Sequence, residues 1–216
     1  MIDLDGTLVD TAADITAAVN AMLAELGREA LPIAQVTGYV GRGAEVLVHR
    51  VLTGELDGVA PASEFNPAFD SFRAHYRREN GVHSKTYPGV LEGLAIMRGR
   101  GLKLAVVTNK PSDFTLPLLA AADIDSFFDL VVSGDTLAAK KPDPQPMLHV
   151  CQRFGIAPAQ MVAIGDSAHD VHAARAAGIP VIVVPYGYNE GRDVRELDVD
   201  AIVPTLREAA GLLDPV

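Results

Sequence analysis

Two carboxylates near the start of the chain are the residues best suited to do chemistry. Asp3 and Asp5 follow a short apolar run and precede Gly6-Thr7, which indicates a turn. In an extended strand, residues i and i+2 point to the same side, so both carboxylates would leave the end of a strand together. Two like charges this close repel unless a cation lies between them, and a hard divalent cation with oxygen ligands would fit. The alternative is a strand end followed by an ordinary Asp-Gly turn.

Further polar groups follow three later strands, which we predict over residues 102–107, 128–132 and 161–164. The polar residues that come after these strands are Thr108, Asn109, Lys141, Asp166 and Asp170. Ligands bind at the carboxyl ends of strands in open parallel sheets, so we expect these groups to share one edge. Carboxylates would hold a cation there, while hydroxyl, backbone N–H and ammonium groups would hold a phosphoryl group. The sequence therefore predicts a phosphate-and-metal site.

The elements that would position this site alternate along the second part of the chain. Beyond residue 87, strands rich in Val and Ile alternate with helical segments, and two more strands are predicted over 181–184 and 201–203. The helices of this part are predicted over 90–100, 112–122, 144–154, 169–177 and 206–213. This alternation is typical of an α/β fold with a parallel sheet and helices on both faces.

The segment between the first strand and residue 87 has a different character. It contains helical patterns over 12–26, 44–52 and 69–79 and no confident strand. We therefore predict a core domain formed by residues 1–11 and 87–216, with a helical domain of residues 12–86 inserted after the first strand. Asp10 and Asp14 are predicted to cap the first helix of this insertion.

The composition limits the classes of partner. The chain has 216 residues, 49% of them hydrophobic, and a net charge of -10, which argues against nucleic acid or an anionic membrane as the main partner. No apolar run approaches the roughly 18 residues that a membrane helix needs. The single cysteine, Cys151, reads as a small core residue, and one cysteine fits a reducing cytoplasm. The oligomeric state stays open between a monomer and a homodimer.

The start of the chain is unusual for a buried central strand, which has about five or six residues. Only Met1 and Ile2 precede Asp3. Either the first strand is short or the natural reading frame begins upstream of Met1, and we favour the second interpretation.

Taken in order, the motifs resemble those of the haloacid dehalogenase superfamily. Asp3-Leu4-Asp5-Gly6-Thr7 is similar to its first motif, Thr108 to its second, Lys141 to its third, and Gly165-Asp166-Ser167 with Asp170 to its fourth. The resemblance covers nearly the whole chain. It implies a Rossmann-like parallel core with a mobile helical cap inserted after the first motif.

The resemblance and the chemistry of the residues agree on the roles of the two acids. Asp3 would be the nucleophile that forms an aspartyl-phosphate, and Asp5 the general acid and base. Mg²⁺ would bridge Asp3, the main-chain carbonyl of Asp5 and Asp166. Asp170 would lie one helical turn beyond Asp166, where it could meet the waters of the metal or Lys141.

The phosphoryl group would be held by its own set of residues. Gly6, Thr108 and the N–H of Asn109 would bind its oxygens, and Lys141 would offset the charge of Asp3 and the phosphate. Each residue also has an ordinary interpretation: Thr108 as a helix N-cap, Asp170 as an acid that favours a helix N-terminus, and Lys141 as a solvated surface residue like Lys140.

Four stretches resemble phosphoglycolate phosphatases, of which the last two are less diagnostic of the substrate than of the subgroup. They are Val40-Gly41-Arg42-Gly43-Ala44, Val107-Thr108-Asn109-Lys110-Pro111, Lys141-Pro142-Asp143-Pro144 and Tyr186-Gly187-Tyr188-Asn189. This resemblance implies a small anionic phosphorylated substrate, 2-phosphoglycolate. Our hypothesis is that Arg42, between two glycines before a helix, binds its carboxylate, although Arg42 could be an ordinary exposed arginine.

Other functions share these motifs. A phosphosugar phosphatase or mutase and a pyrophosphatase of the same superfamily would carry the same core motifs, and only the cap would discriminate among them. A dehalogenase would not need the acid and base Asp5. A non-catalytic scaffold would not need the full set of polar groups.

Overall fold

A parallel sheet forms the centre of the computed structural model, which describes residues 1–214. The strands are β1 (Val9–Asp10), β2 (Lys85–Thr86), β3 (Ala105–Val107), β4 (Leu130–Val132), β5 (Ala163–Gly165), β6 (Val181–Val183) and β7 (Ala201–Ile202). The helices are α1 (Ala12–Glu25), α2 (Ile33–Thr37), α3 (Ala44–Thr53), α4 (Ala62–Glu79), α5 (Val90–Gly99), α6 (Ser112–Ala121), α7 (Gln145–Phe154), α8 (Ala168–Ala177) and α9 (Leu206–Gly211). None of the helices within residues 1–214 is both long and apolar enough to cross a membrane. Residues 215–216 of the predicted core domain lie outside the described part.

The predicted α/β class is confirmed, and the sheet places the first acidic residue at its middle. Strand pairs β3–β4, β5–β6 and β6–β7 are parallel. Ile2 bridges Val106 on one side and Ile164 on the other, also in parallel, so the sheet order is β4-β3-Ile2-β5-β6-β7. The predicted first strand is thus one bridging residue. Asp3 follows it directly and therefore stands between β3 and β5, at the carboxyl edge.

The apolar side chains of the sheet divide between its two faces. Val106 and Ile164 pack with residues of α5, α6 and α9, whereas Ala105, Val107 and Ala163 pack with residues of α7 and α8. Successive strand residues point to opposite faces, which is why single-residue steps along β3 alternate between the two clusters. The helices on both faces hold the strand ends at fixed positions.

The helical insertion has a hydrophobic cluster of its own. Buried residues of α1, α3 and α4 form this cluster together with Phe114 of the core helix α6. Helix α4 is longer than predicted, because the sequence pattern suggested a start at residue 69 and the helix begins at Ala62. Pro67 lies inside it and costs one backbone hydrogen bond, but buried Ala68 and Phe72 hold the segment by packing.

A short β-ladder joins the two chain segments that enter and leave the insertion. Val9 pairs with Thr86 and Asp10 with Lys85, in antiparallel register. No strand was predicted there, since two-residue strands have no periodicity to detect. The predicted capping role of Asp14 is wrong. Asp14 lies in the first turn of α1, and its carboxylate accepts hydrogen bonds from the N–H groups of residues 81, 83 and 84, at 2.8 to 3.1 Å, instead of capping the helix. Asp14 therefore ties the two connecting segments together.

A buried ion pair also connects the insertion to the core. Arg50 of α3 is 1% exposed, and its Nη2 lies 2.7 Å from Oε1 of Glu190, which belongs to the loop after β6. The same guanidinium donates to the carbonyls of Leu56 at 2.7 Å and Tyr39 at 3.0 Å. Although burial acts in the opposite direction, Arg50 holds the pKa of the Glu190 carboxyl below its usual range.

We expect Arg50→Met to be strongly destabilising. The substitution keeps much of the apolar volume but removes the guanidinium from two carbonyls and from the Glu190 carboxylate, which keeps the His169 ring at 3.3 Å. Breaking one partner of a buried pair costs about 3–5 kcal/mol of unfolding free energy, which urea denaturation would measure. The matched control is Arg153→Met, at an exposed position of α7, which we expect to change stability by less than about 0.5 kcal/mol. Similar losses in the two variants would contradict the prediction.

Candidate active site

Three acids meet at the carboxyl edge of the sheet. Asp3 follows Ile2, Asp166 follows β5, and Asp170 lies in the first turn of α8. Each offers one carboxylate oxygen, and these three oxygens lie within 4.8 Å of one another. The structure thus brings Asp3 together with two predicted site residues that follow it by more than 160 positions in the sequence.

Lys141 lies among these carboxylates and is 4% exposed. Its Nζ is 2.9 Å from Oδ1 of Asp3 and 2.6 Å from Oδ1 of Asp170, and it donates to the carbonyl of Val107 at 2.7 Å. Lys140, by contrast, lies 3.8 Å from Glu45 with its side chain 35% exposed. The choice of Lys141 over Lys140 therefore agrees with their positions.

One ammonium does not neutralise three carboxylates, and the pKa values of Asp3 and Asp166 are raised. Burial raises the pKa of Asp3 to about 7, with Asp170 adding to the rise and Lys141 opposing it. Burial also raises the pKa of Asp166, and the nearby Asp170 and Asp3 add to this rise. A cluster of oxygen donors with excess negative charge suits a hard divalent cation such as Mg²⁺.

The Asp166 carboxylate is held by groups that the sequence analysis did not identify. The Thr7 hydroxyl donates to Oδ1 at 2.7 Å, and the Tyr188 N–H donates to Oδ2 at 2.6 Å. Two glycines make this approach possible: a Cβ would lie 2.3 Å from Asp166 Oδ2 at Gly6 and 2.2 Å from it at Gly187. The N–H of Gly6 donates to the carbonyl of Val9 at 3.0 Å. Gly6 therefore makes room for Asp166, and its contact with a phosphate stays a prediction.

Asp5 is held at a single carboxylate oxygen. Oδ1 accepts from the Thr11 hydroxyl at 2.8 Å and from Lys110 Nζ at 2.9 Å. Lys110 stands in the stretch that follows β3, but the sequence pattern assigned it no role. Burial would lower the pKa of its ammonium, but Asp5 and Tyr76 outweigh this effect and the pKa is raised, so Lys110 stays charged.

The other predicted phosphate-binding residues lie in the loop after β3. The Thr108 hydroxyl accepts from the N–H of Lys110 at 3.2 Å, and α6 is preceded by Pro111, so Thr108 is not its N-cap. The Asn109 side chain donates to the carbonyls of Gly41 and Lys141, both at 2.9 Å. Asn109 therefore links the core loop to the insertion.

The predicted carboxylate contact of Arg42 is not supported by its position. The guanidinium lies 3.5 Å from Asp57, and the side chain is 43% exposed. The flanking Gly41 and Gly43 line the cavity instead, with Ala44 at the start of α3. The glycines bring the backbone close to the site while the side chain between them reaches Asp57, which matches the exposed-arginine interpretation.

A cavity of about 50 Å³ lies between the core and the helical insertion. From the core it is lined by Asp3, Asp5 and Lys110, and from the insertion by Leu47 and Tyr76 among others. Both carboxylates that the sequence paired therefore line one small cavity. Such a space could hold a compact ligand against Asp3, with Asp5 beside it.

Comparisons with known proteins agree with this arrangement. The family model of haloacid dehalogenase-like hydrolases matches residues 1–184. The chain is similar to the phosphoglycolate phosphatase of Nitrosospira multiformis, with 54% identity over 99% of this chain and 94% of that protein. It is also similar to the phosphoglycolate phosphatase of Thiobacillus denitrificans, with 50% identity over 97% of this chain and 92% of that protein.

A solved structure gives the same result. The crystal structure described as a predicted phosphoglycolate phosphatase from Haemophilus somnus 129PT superposes with a TM-score of 0.92 and 32% identity, over 98% of this chain and 95% of that one. The family model, the relatives and the solved structure therefore indicate the same family, and the cluster of acidic residues at the carboxyl edge of the sheet is consistent with it. This chain belongs to the haloacid dehalogenase-like hydrolase family.

Proposed function

We propose that the chain is a Mg²⁺-dependent phosphatase that hydrolyses 2-phosphoglycolate to glycolate and phosphate. The observation that carries the proposal is the position of Asp3, which faces the cavity beside Asp5 and pairs with Lys141 at 2.9 Å. A carboxylate in this place can attack phosphorus, because Lys141 offsets the negative charge that nucleophile and substrate would otherwise concentrate.

The reaction has two steps at phosphorus. In the first, a carboxylate oxygen of Asp3 forms a bond to phosphorus, the bond to the ester oxygen breaks, and Asp5 gives its proton to the departing alkoxide. In the second, water attacks the aspartyl-phosphate, Asp5 takes the proton of the water, and the bond between phosphorus and Asp3 breaks. Thr108 and the N–H of Asn109 hold the phosphoryl oxygens. Asp5 ends each turnover in its starting protonation state.

The metal site belongs to the same proposal. Asp3, the main-chain carbonyl of Asp5 and Asp166 would hold Mg²⁺, and Asp170 would support the site through Lys141. When bound, the cation supplies positive charge to the phosphoryl oxygens. The close approach of the three carboxylate oxygens and the raised pKa values of Asp3 and Asp166 support this assignment.

The helical insertion is proposed to act as a cap. We assign residues 12–86 to it and residues 1–11 and 87–216 to the core. A cap that closes over the cavity would exclude bulk water during the first step and open for exchange. The protein would work in the cytoplasm as a monomer or a homodimer, with a small anionic ester as its only partner; the single buried Cys151 is compatible with that compartment.

The size of the cavity favours a compact substrate. The cavity measures about 50 Å³ in this structure, so either ester would need the cap to open, and a hexose phosphate would need a larger opening than a two-carbon ester. The names of the relatives point in the same direction. The phosphosugar alternatives share the core motifs but have larger substrates, whereas pyrophosphate is similar in size to 2-phosphoglycolate and has to be distinguished by assay.

A substrate panel tests the assignment. We expect kcat/KM for 2-phosphoglycolate to exceed that for glucose 6-phosphate by at least about 100-fold, since misfit of the larger ester costs several kcal/mol. We also expect it to exceed that for pyrophosphate, which is similar in size but lacks the carboxylate. Phosphate release with Mg²⁺ is the measurement. Higher kcat/KM for the sugar phosphate would overturn the substrate but leave the chemistry, whereas no turnover of any ester would overturn the phosphatase itself.

A further inference from the structure

Lys110 joins the core to the helical insertion at the edge of the cavity. It stands in the loop after β3, and its residue is 5% exposed. Its Nζ donates to Asp5 Oδ1 at 2.9 Å and to the Tyr76 hydroxyl at 2.5 Å. Tyr76 belongs to α4, so one buried ammonium contacts the acid and base of the core and an aromatic residue of the insertion.

The contact restricts how Asp5 can turn. Lys110 and Thr11 both donate to Oδ1, and two donors on one oxygen fix the plane of the carboxylate. Oδ2 is then left to exchange a proton with the substrate. For proton transfer to be effective, that oxygen must lie within hydrogen-bond reach of the departing ester oxygen.

Tyr76 itself has little freedom. It is 2% exposed, and its ring lies 5.4 Å from Phe72 of the insertion and 4.8 Å from Phe114 of the core, between centroids. The ring also lies 4.7 Å from Lys110 Nζ, which adds a cation–π contact. The position of the ammonium therefore depends on α4 being seated against α6.

We propose that Lys110 is a positioning residue that aims Asp5 at the leaving oxygen, and that Tyr76 makes this aim depend on the docking of the insertion. The inference rests on the proposed phosphatase function. If the insertion moves away, Lys110 loses the Tyr76 hydroxyl that fixes its ammonium, so Lys110 holds Asp5 less firmly. Proton transfer is then confined to the closed arrangement, in which bulk water is excluded.

Three phosphate esters distinguish a positioning role of Lys110 from a purely structural role and from binding of the substrate carboxylate. The alkoxides that leave 2-phosphoglycolate and ethyl phosphate need a proton, whereas p-nitrophenolate leaves without one. Comparing kcat/KM confines the test to formation of the aspartyl-phosphate, because the later hydrolysis is common to all three. For Lys110→Met we expect a loss on the order of 10²-fold with both alkyl esters and less than about threefold with p-nitrophenyl phosphate.

Two further variants accompany the first. Tyr76→Phe keeps the ring and its stacking but removes the hydroxyl, so we expect the same pattern with a loss of about tenfold, the effect of one hydrogen bond to a charged group. Lys103→Met makes the same exchange at an exposed lysine and should leave all three values unchanged. If Lys110→Met does not fold, Tyr76→Phe decides the question, since its core packing is preserved.

Two results would overturn the inference. Equal losses with all three esters would mean that Lys110 only maintains the structure. A loss confined to 2-phosphoglycolate would mean that Lys110 binds the substrate carboxylate, because ethyl phosphate lacks one. Neither result would affect the proposed phosphatase activity, which fails if the wild-type protein turns over none of the three esters.

Discussion

Asp3→Asn is expected to lower kcat for p-nitrophenyl phosphate by on the order of 10⁴-fold or more, the scale of losing a nucleophile. The amide has the shape of the carboxylate but cannot form the aspartyl-phosphate. Phosphate or nitrophenolate release with Mg²⁺ would measure the loss. The control is Asp70→Asn, which makes the same change at an exposed position of α4 and should leave kcat unchanged. Full activity of Asp3→Asn would overturn the mechanism.

The same variant is expected to gain stability when no metal is bound. Three carboxylates surround one ammonium, and burial raises the pKa of Asp3 to about 7. Replacing one carboxylate by a neutral amide relieves part of this repulsion. Each kcal/mol gained corresponds to about 2–4 °C in Tm for a chain of this size. A lower Tm than that of the wild type, without Mg²⁺, would show that the Asp3–Lys141 pair outweighs the repulsion.

Removal of divalent cations is expected to abolish turnover, and addition of Mg²⁺ to stabilise the fold. At a Mg²⁺ concentration 100 times its Kd, binding adds about 2.7 kcal/mol to the unfolding free energy. Thermal melts with EDTA and with Mg²⁺ would measure this shift. Asp166→Asn removes one carboxylate of the cluster, and this variant should lose most of the stabilisation by Mg²⁺. An equal Mg²⁺ shift in Asp166→Asn and the wild type would place the cation elsewhere.

The effect of Mg²⁺ should depend on pH in a defined direction. The pKa of Asp3 is about 7 in the folded protein against an ordinary value of 3.8, so between these values the folded state binds more protons than the unfolded state. The contribution of Asp3 to the unfolding free energy of the metal-free protein is therefore present at low pH and is lost as the pH rises through 7. Mg²⁺ competes with the proton, so its stabilisation should grow over the same range and level off above it. A shift that is constant from pH 5 to 8 would contradict this account.

Much of the candidate site follows from the order of residues along the chain. Asp3, Thr108 and Asp166 each stand directly after a strand, and parallel strands end at a common edge. The positions of these residues directly after strands are therefore enough to predict that their side chains lie together at one edge of the sheet. The strands themselves are evident from short Val- and Ile-rich runs between helices, although their ladders are shorter than the apolar runs. The catalytic roles of these residues remain predictions, which the variants above test.

The contacts between core and insertion could not be read in this way. Lys110 reaches Asp5 and Tyr76, and Arg50 reaches Glu190. Within the insertion, Arg42 turns to Asp57 instead of the cavity. The polarity of these side chains is visible in the sequence, but their partners are set by how α3 and α4 fold back over the sheet.

The sequence by itself thus determined the α/β class, the family and the edge of the sheet at which the acids gather. These features follow from local periodicity and from the common direction of parallel strands. Only the tertiary structure decided which cation holds Asp5, which buried pair joins the two parts, and which residues of the glycine loop face the cavity. Such contacts join residues far apart in the chain, and their geometry depends on packing between helices, which leaves no periodic pattern.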